Sequence, residues 1–214
     1  MSSRTEVPER QDTTGLRERK KDATRRALAE TAMDLAQQRG YHGVTIADIA
    51  AAVGVSRRTF SNYFAGKAEC VAAVAEGWFD DIAQSINDAP ADHPLDQILC
   101  DSLGRVAADL PERWERFFGL FHAEPELKAA VLASDEVIVR RLADAIADRC
   151  GLAKGDIRAR MLAAYGNLAG TACLEQWVLG GRPGGPAGVT DQLMLAFSII
   201  DLRSLSAAPD PTTS

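Results

Sequence analysis

The chain has little of what marks secreted, membrane-bound and most catalytic proteins. Four of its 214 residues are cysteine, and Cys70, Cys100, Cys150 and Cys173 form no CxxC pair. No histidine sits near them at a metal-ligand spacing, and His42, His93 and His122 are scattered, so the thiols read as reduced core groups and no metal is expected. The longest apolar stretch, Met161 to Leu174, is interrupted by Asn167 and Thr171 and falls short of the roughly 20 residues that cross a bilayer. The N-terminal MSSRTEVPERQDTTG has polar and charged residues where a signal peptide needs an apolar run. A cytoplasmic location without a membrane partner is the expectation. Phosphate-binding glycine loops, Gly-x-Ser-x-Gly elbows and paired acidic metal motifs are also missing, so neither an enzyme nor a cofactor is expected.

What is present is a globular composition, 46% apolar and 25% charged, with the charge unevenly placed. Residues 1–69 carry 12 Lys plus Arg against 9 Asp plus Glu, whereas the rest carries 12 against 21. A basic front and an acidic remainder suggest that one part meets a polyanion and the other does not. Residues 1–15 mix Ser, Thr, Pro and charge without periodicity, as a flexible arm does.

From Leu16 to Gly40 apolar Leu28, Ala32, Leu35 and Ala36 recur at helical spacing, after a basic run that includes Arg17, Arg25 and Arg26. Thr45 then opens IADIAAAV with Asp48 three positions on, in the manner of a capping box. Ile46, Ile49, Ala50 and Val53 form the apolar stripe of a short helix, Gly54 supplies a tight turn, and Ser56 can cap a second helix over 57–64. Two short helices joined by a glycine-containing turn are the grammar of a helix-turn-helix. On the second, Arg57, Arg58, Ser61 and Asn62 cover one arc, and Thr59, Phe60, Tyr63 and Phe64 the other. Arginine suits guanine O6 and N7, asparagine suits adenine, and serine suits either bases or phosphates, so the first arc carries chemistry for a major groove.

The segment TIADIAAAVGVSRRTFSNYFAGKAECVAAV, Thr45 to Val74, resembles the signature of the TetR family of transcriptional regulators, and the likeness spans roughly Arg17 to Asp81. The resemblance implies that Thr45, Thr59, Tyr63 and Lys67 hold the phosphate backbone while Arg57, Arg58, Ser61 and Asn62 face base edges. Arg26, ending the basic run, and Ser56, opening the second helix, complete the expected DNA contacts. Two departures stand out: Ser61 replaces a frequent aromatic residue, and Ala65-Gly66 replaces a commoner pairing of Pro or Lys with Ser or Asn.

Beyond the motif, Pro90, Pro94, Pro111 and Pro125 punctuate helical patterns, predicting a connecting helix to about Asn87 and further helices near 95–109, 112–122, 126–150, 156–179 and 189–206. No alternating strand pattern appears, so the expected fold is all-α: an N-terminal three-helix DNA-binding domain plus a C-terminal helical ligand-binding and dimerisation domain. The expected boundaries are an arm over 1–15, the DNA-binding domain over 16–66, a connecting helix over 67–87, a regulatory domain over 88–206 and a tail over 207–214. Gly180 to Gly188 reads as a mobile loop.

Gly166, Gly170 and Cys173 make a small-residue strip that admits another helix closely. Family resemblance favours a helix from a second copy, and packing inside one subunit is the alternative. The resemblance also implies a pocket for a small effector. Trp114, Phe117, Phe118, Phe121, His122, Tyr165, Asn167, Thr171 and Trp177 are its candidate lining, although aromatic residues at helical spacing also suit a plain core. The function expected is a homodimeric repressor released from palindromic double-stranded operator DNA by a small-molecule effector, lipophilic if the pocket is apolar. An activator, or a regulator answering to a protein partner, is the alternative.

Overall fold

The structure, a computed structural model, describes residues 11–109 and 111–200, and every regular element among them is helical. They divide between Val71 and Ala72 into two compact units. The first unit contains α1 (Gln11–Arg39), a 3-10 turn (Tyr41–Gly43), α2 (Ile46–Val53), α3 (Arg57–Ser61) and the start of α4 (Lys67–Asp88). The second holds the rest of α4 with α5 (Leu95–Asp109), α6 (Pro111–Ala123), α7 (Pro125–Cys150), α8 (Ile157–Leu179) and α9 (Gly185–Phe197).

The core of the first unit is the apolar stripe of α1, with Leu28, Ala32, Met33 and Ala36 fully buried, closed by Ile49 and Ala50 of α2 and Phe60 of α3. In the second unit α7 packs on α8, α5 on α9, and α6 on both α7 and α8. Leu127, Ile146, Leu174 and Leu193 are buried to within 1%. Chain punctuation follows local chemistry. Pro125 occupies the first turn of α7, where its missing N–H is not needed, and Gly151 ends that helix in the left-handed region.

Four boundaries differ from those read off the sequence. α1 already includes 11–15, which the expected arm over 1–15 took in; no proline after Pro8 interrupts its backward propagation. Residues 1–10 and the expected tail over 207–214 lie outside the described residues. The second helix of the motif stops at Ser61 rather than Phe64: Asn62 N–H bonds to the Thr59 carbonyl and Tyr63 N–H to that of Phe60, tightening the last turn. The loop after α8 is shorter than Gly180 to Gly188, because Pro186 suits the first turn of a helix and α9 begins at Gly185. That helix ends at Phe197 instead of 206; Ser198 Oγ donates to the Leu195 carbonyl, and Ile200 N–H to that of Phe197. The remaining expected helical residues, 201–206, lie outside the described ones.

Candidate functional sites

The motif in the first unit is built by reciprocal capping. Thr45 Oγ1 accepts from Asp48 N–H at 3.2 Å, and Asp48 Oδ2 accepts from Thr45 N–H at 2.9 Å. The Thr45 hydroxyl also donates to that carboxylate, and these bonds, with Arg39 adding a weaker attraction, hold the Asp48 carboxyl below its ordinary pKa. Gly54 closes α2 at φ +75°, a conformation that side chains disfavour, while its N–H reaches the Ala50 and Ala51 carbonyls. Ser56 caps α3 by accepting from Thr59 N–H at 3.0 Å, and its hydroxyl meets Thr59 Oγ1 at 2.8 Å.

Arg57, Arg58, Ser61 and Asn62 are all exposed, whereas Phe60 and Phe64 are buried, so the two arcs fall on opposite sides. Ser61 Oγ donates to the Arg57 carbonyl at 3.1 Å, which leaves its lone pairs outward as acceptors. Thr59 and Tyr63 are half-buried, and Arg26, Thr45 and Ser56 are exposed.

Lys67 is turned inward more than a phosphate clamp requires. Its Nζ donates to the carbonyls of Tyr41 at 2.6 Å and Val44 at 3.0 Å, and lies 4.0 Å from the centre of the Tyr41 ring. Two of its three donors therefore tie the start of α4 to the segment before α2. Sequence reading passed over two comparable braces. Arg25 donates to the Tyr63 carbonyl at 3.3 Å and stacks 4.4 Å over Phe64, fixing the exit of α3 from α1. Glu69 accepts from Ala65 N–H at 2.6 Å and holds the Ala65-Gly66 step.

The second unit holds a partly open cavity of about 340 Å³ between α4, α6, α7 and α8. Trp114, Phe117, Phe118 and Phe121 of α6 line it, together with Trp78 and Phe79 of α4. Trp78 and Trp114 lie 3.8 Å apart between ring centres, and Trp114 stacks on Phe118 at 6.0 Å. From α8 come Asn167, Leu168, Thr171 and Leu174; from α7 come Val131, Leu132, Asp135, Ile138 and Val139. Asn167 is 7% exposed, and its Nδ2 donates to Asp135 Oδ1 at 3.2 Å.

Three candidate lining residues lie elsewhere. His122 Nε2 pairs with Glu175 Oε1 at 2.6 Å, tying α6 to α8 at a partly exposed position. Tyr165 turns toward α9, donating to the Ala196 carbonyl and meeting Phe197 edge-on at 5.6 Å. Trp177 is buried in the packing near Gly188. Each sits on the right helix at the wrong angle: 100° per residue carries 165 and 177 away from the face that Asn167 and Thr171 share. Asp135, by contrast, is a lone acid in the stripe Val131, Leu132, Ile138, Val139, a signal the sequence carried.

The small-residue strip of α8 is used within the subunit. A methyl on Gly170 would meet Leu103 of α5 at 3.0 Å, and one on Gly166 would face Phe197 of α9 at 3.8 Å. The expectation that these glycines admit a second copy is therefore corrected: α5 and α9 occupy the approach. Burial pushes the thiols of Cys70 and Cys100 up to about 12, because an apolar surrounding disfavours the thiolate. No helix among the described residues is long and apolar enough to cross a membrane.

Comparison with known proteins agrees with this architecture. Residues 28–74 match the family model described as bacterial regulatory proteins, tetR family, and residues 95–197 match that of the MftR C-terminal domain. The HTH-type transcriptional regulator TcmR of Streptomyces glaucescens is 31% identical over 192 residues, covering 83% of this chain and 84% of that protein. A TetR-family regulator from Rhodococcus sp. has a similar fold, with a TM-score of 0.55 at 18% identity over 84% of this chain and 98% of that one. One from Syntrophomonas wolfei gives 0.55 at 17% identity, over 85% and 99%. With the capped helix-turn-helix in one helical unit and a second all-helical unit after it, the chain belongs to the TetR family of transcriptional regulators.

Proposed function

We propose that the chain is a homodimeric repressor that leaves a palindromic operator when a small molecule fills the cavity of its second unit. The observation that carries the reading is the cavity itself. At about 340 Å³, lined by aromatic and aliphatic side chains with a few convergent polar groups, it matches the size and character of a small-ligand site. A regulator answering to a protein partner would need no such space.

In this reading Arg57, Arg58, Ser61 and Asn62 read base edges, and Arg26, Thr45, Ser56, Thr59 and Tyr63 position the phosphate backbone. Lys67 contributes chiefly by holding α4 against the segment before α2. Apolar exposure on α8 and α9 supports a second copy. Ile157, Met161, Leu168 and Leu179 share one face of α8 and are each more than 60% exposed, as are Leu195 and Ile199 after it. Two protomers related by a two-fold axis would then set their reading helices about one DNA turn, roughly 34 Å, apart.

A ligand shifts DNA affinity only by its differential affinity for the two conformations, and α4, shared by both units, is the covalent route for that difference. The test uses duplex DNA that the purified protein selects from a random pool. Light scattering on the complex should give two protomers per palindrome, and extract-derived small molecules that bind the protein should lower its affinity for that duplex. Binding as a monomer to a non-repeated site, or a retained ligand that leaves DNA affinity unchanged, would overturn the reading.

A further inference from the structure

The chemistry lining the cavity narrows the ligand, on the reading that the cavity is the effector site. Among the described residues Asp135 is the only ionisable side chain in its wall, and no lysine, arginine or histidine lines it. None of the described cations of α6 and α7 belongs to the wall. Arg141 pairs with Asp80 at 2.7 Å and lies 3.9 Å from Glu76, and Lys128 stands 5.5 Å from the Phe121 ring without entering the wall. An anionic ligand would therefore meet a carboxylate and no counter-charge, which excludes carboxylates and phosphates from the favoured class.

The hydrogen-bonding inventory points the same way. Asp135 can only accept when ionised, so the Asn167 amide must turn its nitrogen toward it, as the 3.2 Å bond shows. That orientation leaves Asn167 Oδ1 buried with no partner among the described residues. A buried carbonyl without a donor is costly, and Asp135 retains a second oxygen. The wall thus offers acceptors and a negative charge, set among the aromatic rings of Trp78, Trp114 and Phe117. Ring faces attract cations, most strongly those of tryptophan.

We infer that the cavity takes a lipophilic cation: an arylalkyl amine, protonated at neutral pH because an alkyl carbon separates its nitrogen from the ring, whose N–H groups reach Asp135 and Asn167 Oδ1 while its rings lie among the tryptophan and phenylalanine side chains. A neutral aromatic alcohol supplies a donor without the charge, and an aromatic acid supplies the wrong charge. The three can share one ring system and so separate charge from shape.

The experiment is calorimetric titration of the full-length protein with 1-naphthylmethylamine, 1-naphthylmethanol and 1-naphthylacetate at neutral pH. The amine should bind at least about ten-fold more tightly than the alcohol, the scale of one charge-assisted hydrogen bond, with the acid weakest. Asp135→Asn keeps an acceptor for the Asn167 amide and should bring amine and alcohol to within about three-fold of one another. Asn167→Leu should weaken both donors and leave the acid unaffected; circular dichroism checks that both variants fold. Acid binding as tight as amine binding, an unchanged order in Asp135→Asn, or no binding by any of the three would overturn the inference. Binding in the stated order without any effect on DNA affinity would uphold the ligand class while removing the effector reading.

Discussion

Lys67 shows how a single side chain changes its meaning between sequence and structure. Its place in the motif marks a phosphate clamp, yet its ammonium faces two carbonyls and a ring of its own unit. Lys67→Met should therefore lower stability by about 1–3 kcal/mol in urea unfolding, the value of charge-assisted hydrogen bonds at a half-buried site. The slope of log affinity against log salt should change by less than one unit, because the lost charge neutralises little phosphate. A slope falling by a full unit with stability intact would return Lys67 to the DNA. The exposed arc itself was legible beforehand, because a helix surface is set by 100° steps and Arg57, Arg58, Ser61 and Asn62 obey them. Braces such as Arg25 on the Tyr63 carbonyl were not legible, since they join residues 38 apart through backbone atoms that have no sequence signature.

Elements were legible where local chemistry fixes their ends. Thr45 with Asp48, and Gly54 after Val53, mark α2 at both ends, and the structure places it there. Where an end depends on what packs beneath, it was misread: α3 stops early as Phe60 and Phe64 turn inward, and α9 starts early. The segment before α9 is a close approach of backbone to backbone. A methyl group on Gly188 would stand 2.1 Å from the Pro183 carbonyl oxygen, so Gly188→Ala must displace the chain. Its cost should be about 1–3 kcal/mol, as overpacking usually is, read as a lowered midpoint in thermal unfolding. Gly54→Ala differs in kind, because nothing lies within 4 Å of the added methyl and only the φ of +75° opposes it. About 1 kcal/mol is expected there, and a loss as large as that of Gly188→Ala would contradict the distinction.

At the scale of the whole molecule, the sequence carried the division of labour through its charge split, basic before acidic. It did not carry which surface the proposed second copy would meet. The glycines of α8 looked suited to that contact and are instead covered by α5 and α9, while the exposed apolar face holds Met161 and Leu168. Met161→Glu combined with Leu195→Glu places two charges on that exposed surface, and neither side chain supports the core. The pair should give a folded monomer by light scattering that has lost its preference for a palindrome over a single half-site. A dimer of unchanged affinity would move the interface elsewhere. The measurement that most directly tests operator reading by α3 is the affinity of Arg58→Ala, across a salt series, for selected duplex and for scrambled duplex. Loss of the Arg58 contact should cost about 1–3 kcal/mol on the selected duplex and much less on the scrambled one, narrowing the ratio between them. Equal losses on both duplexes would contradict it, and would make the exposed arc of α3 a phosphate contact instead of a reader of sequence.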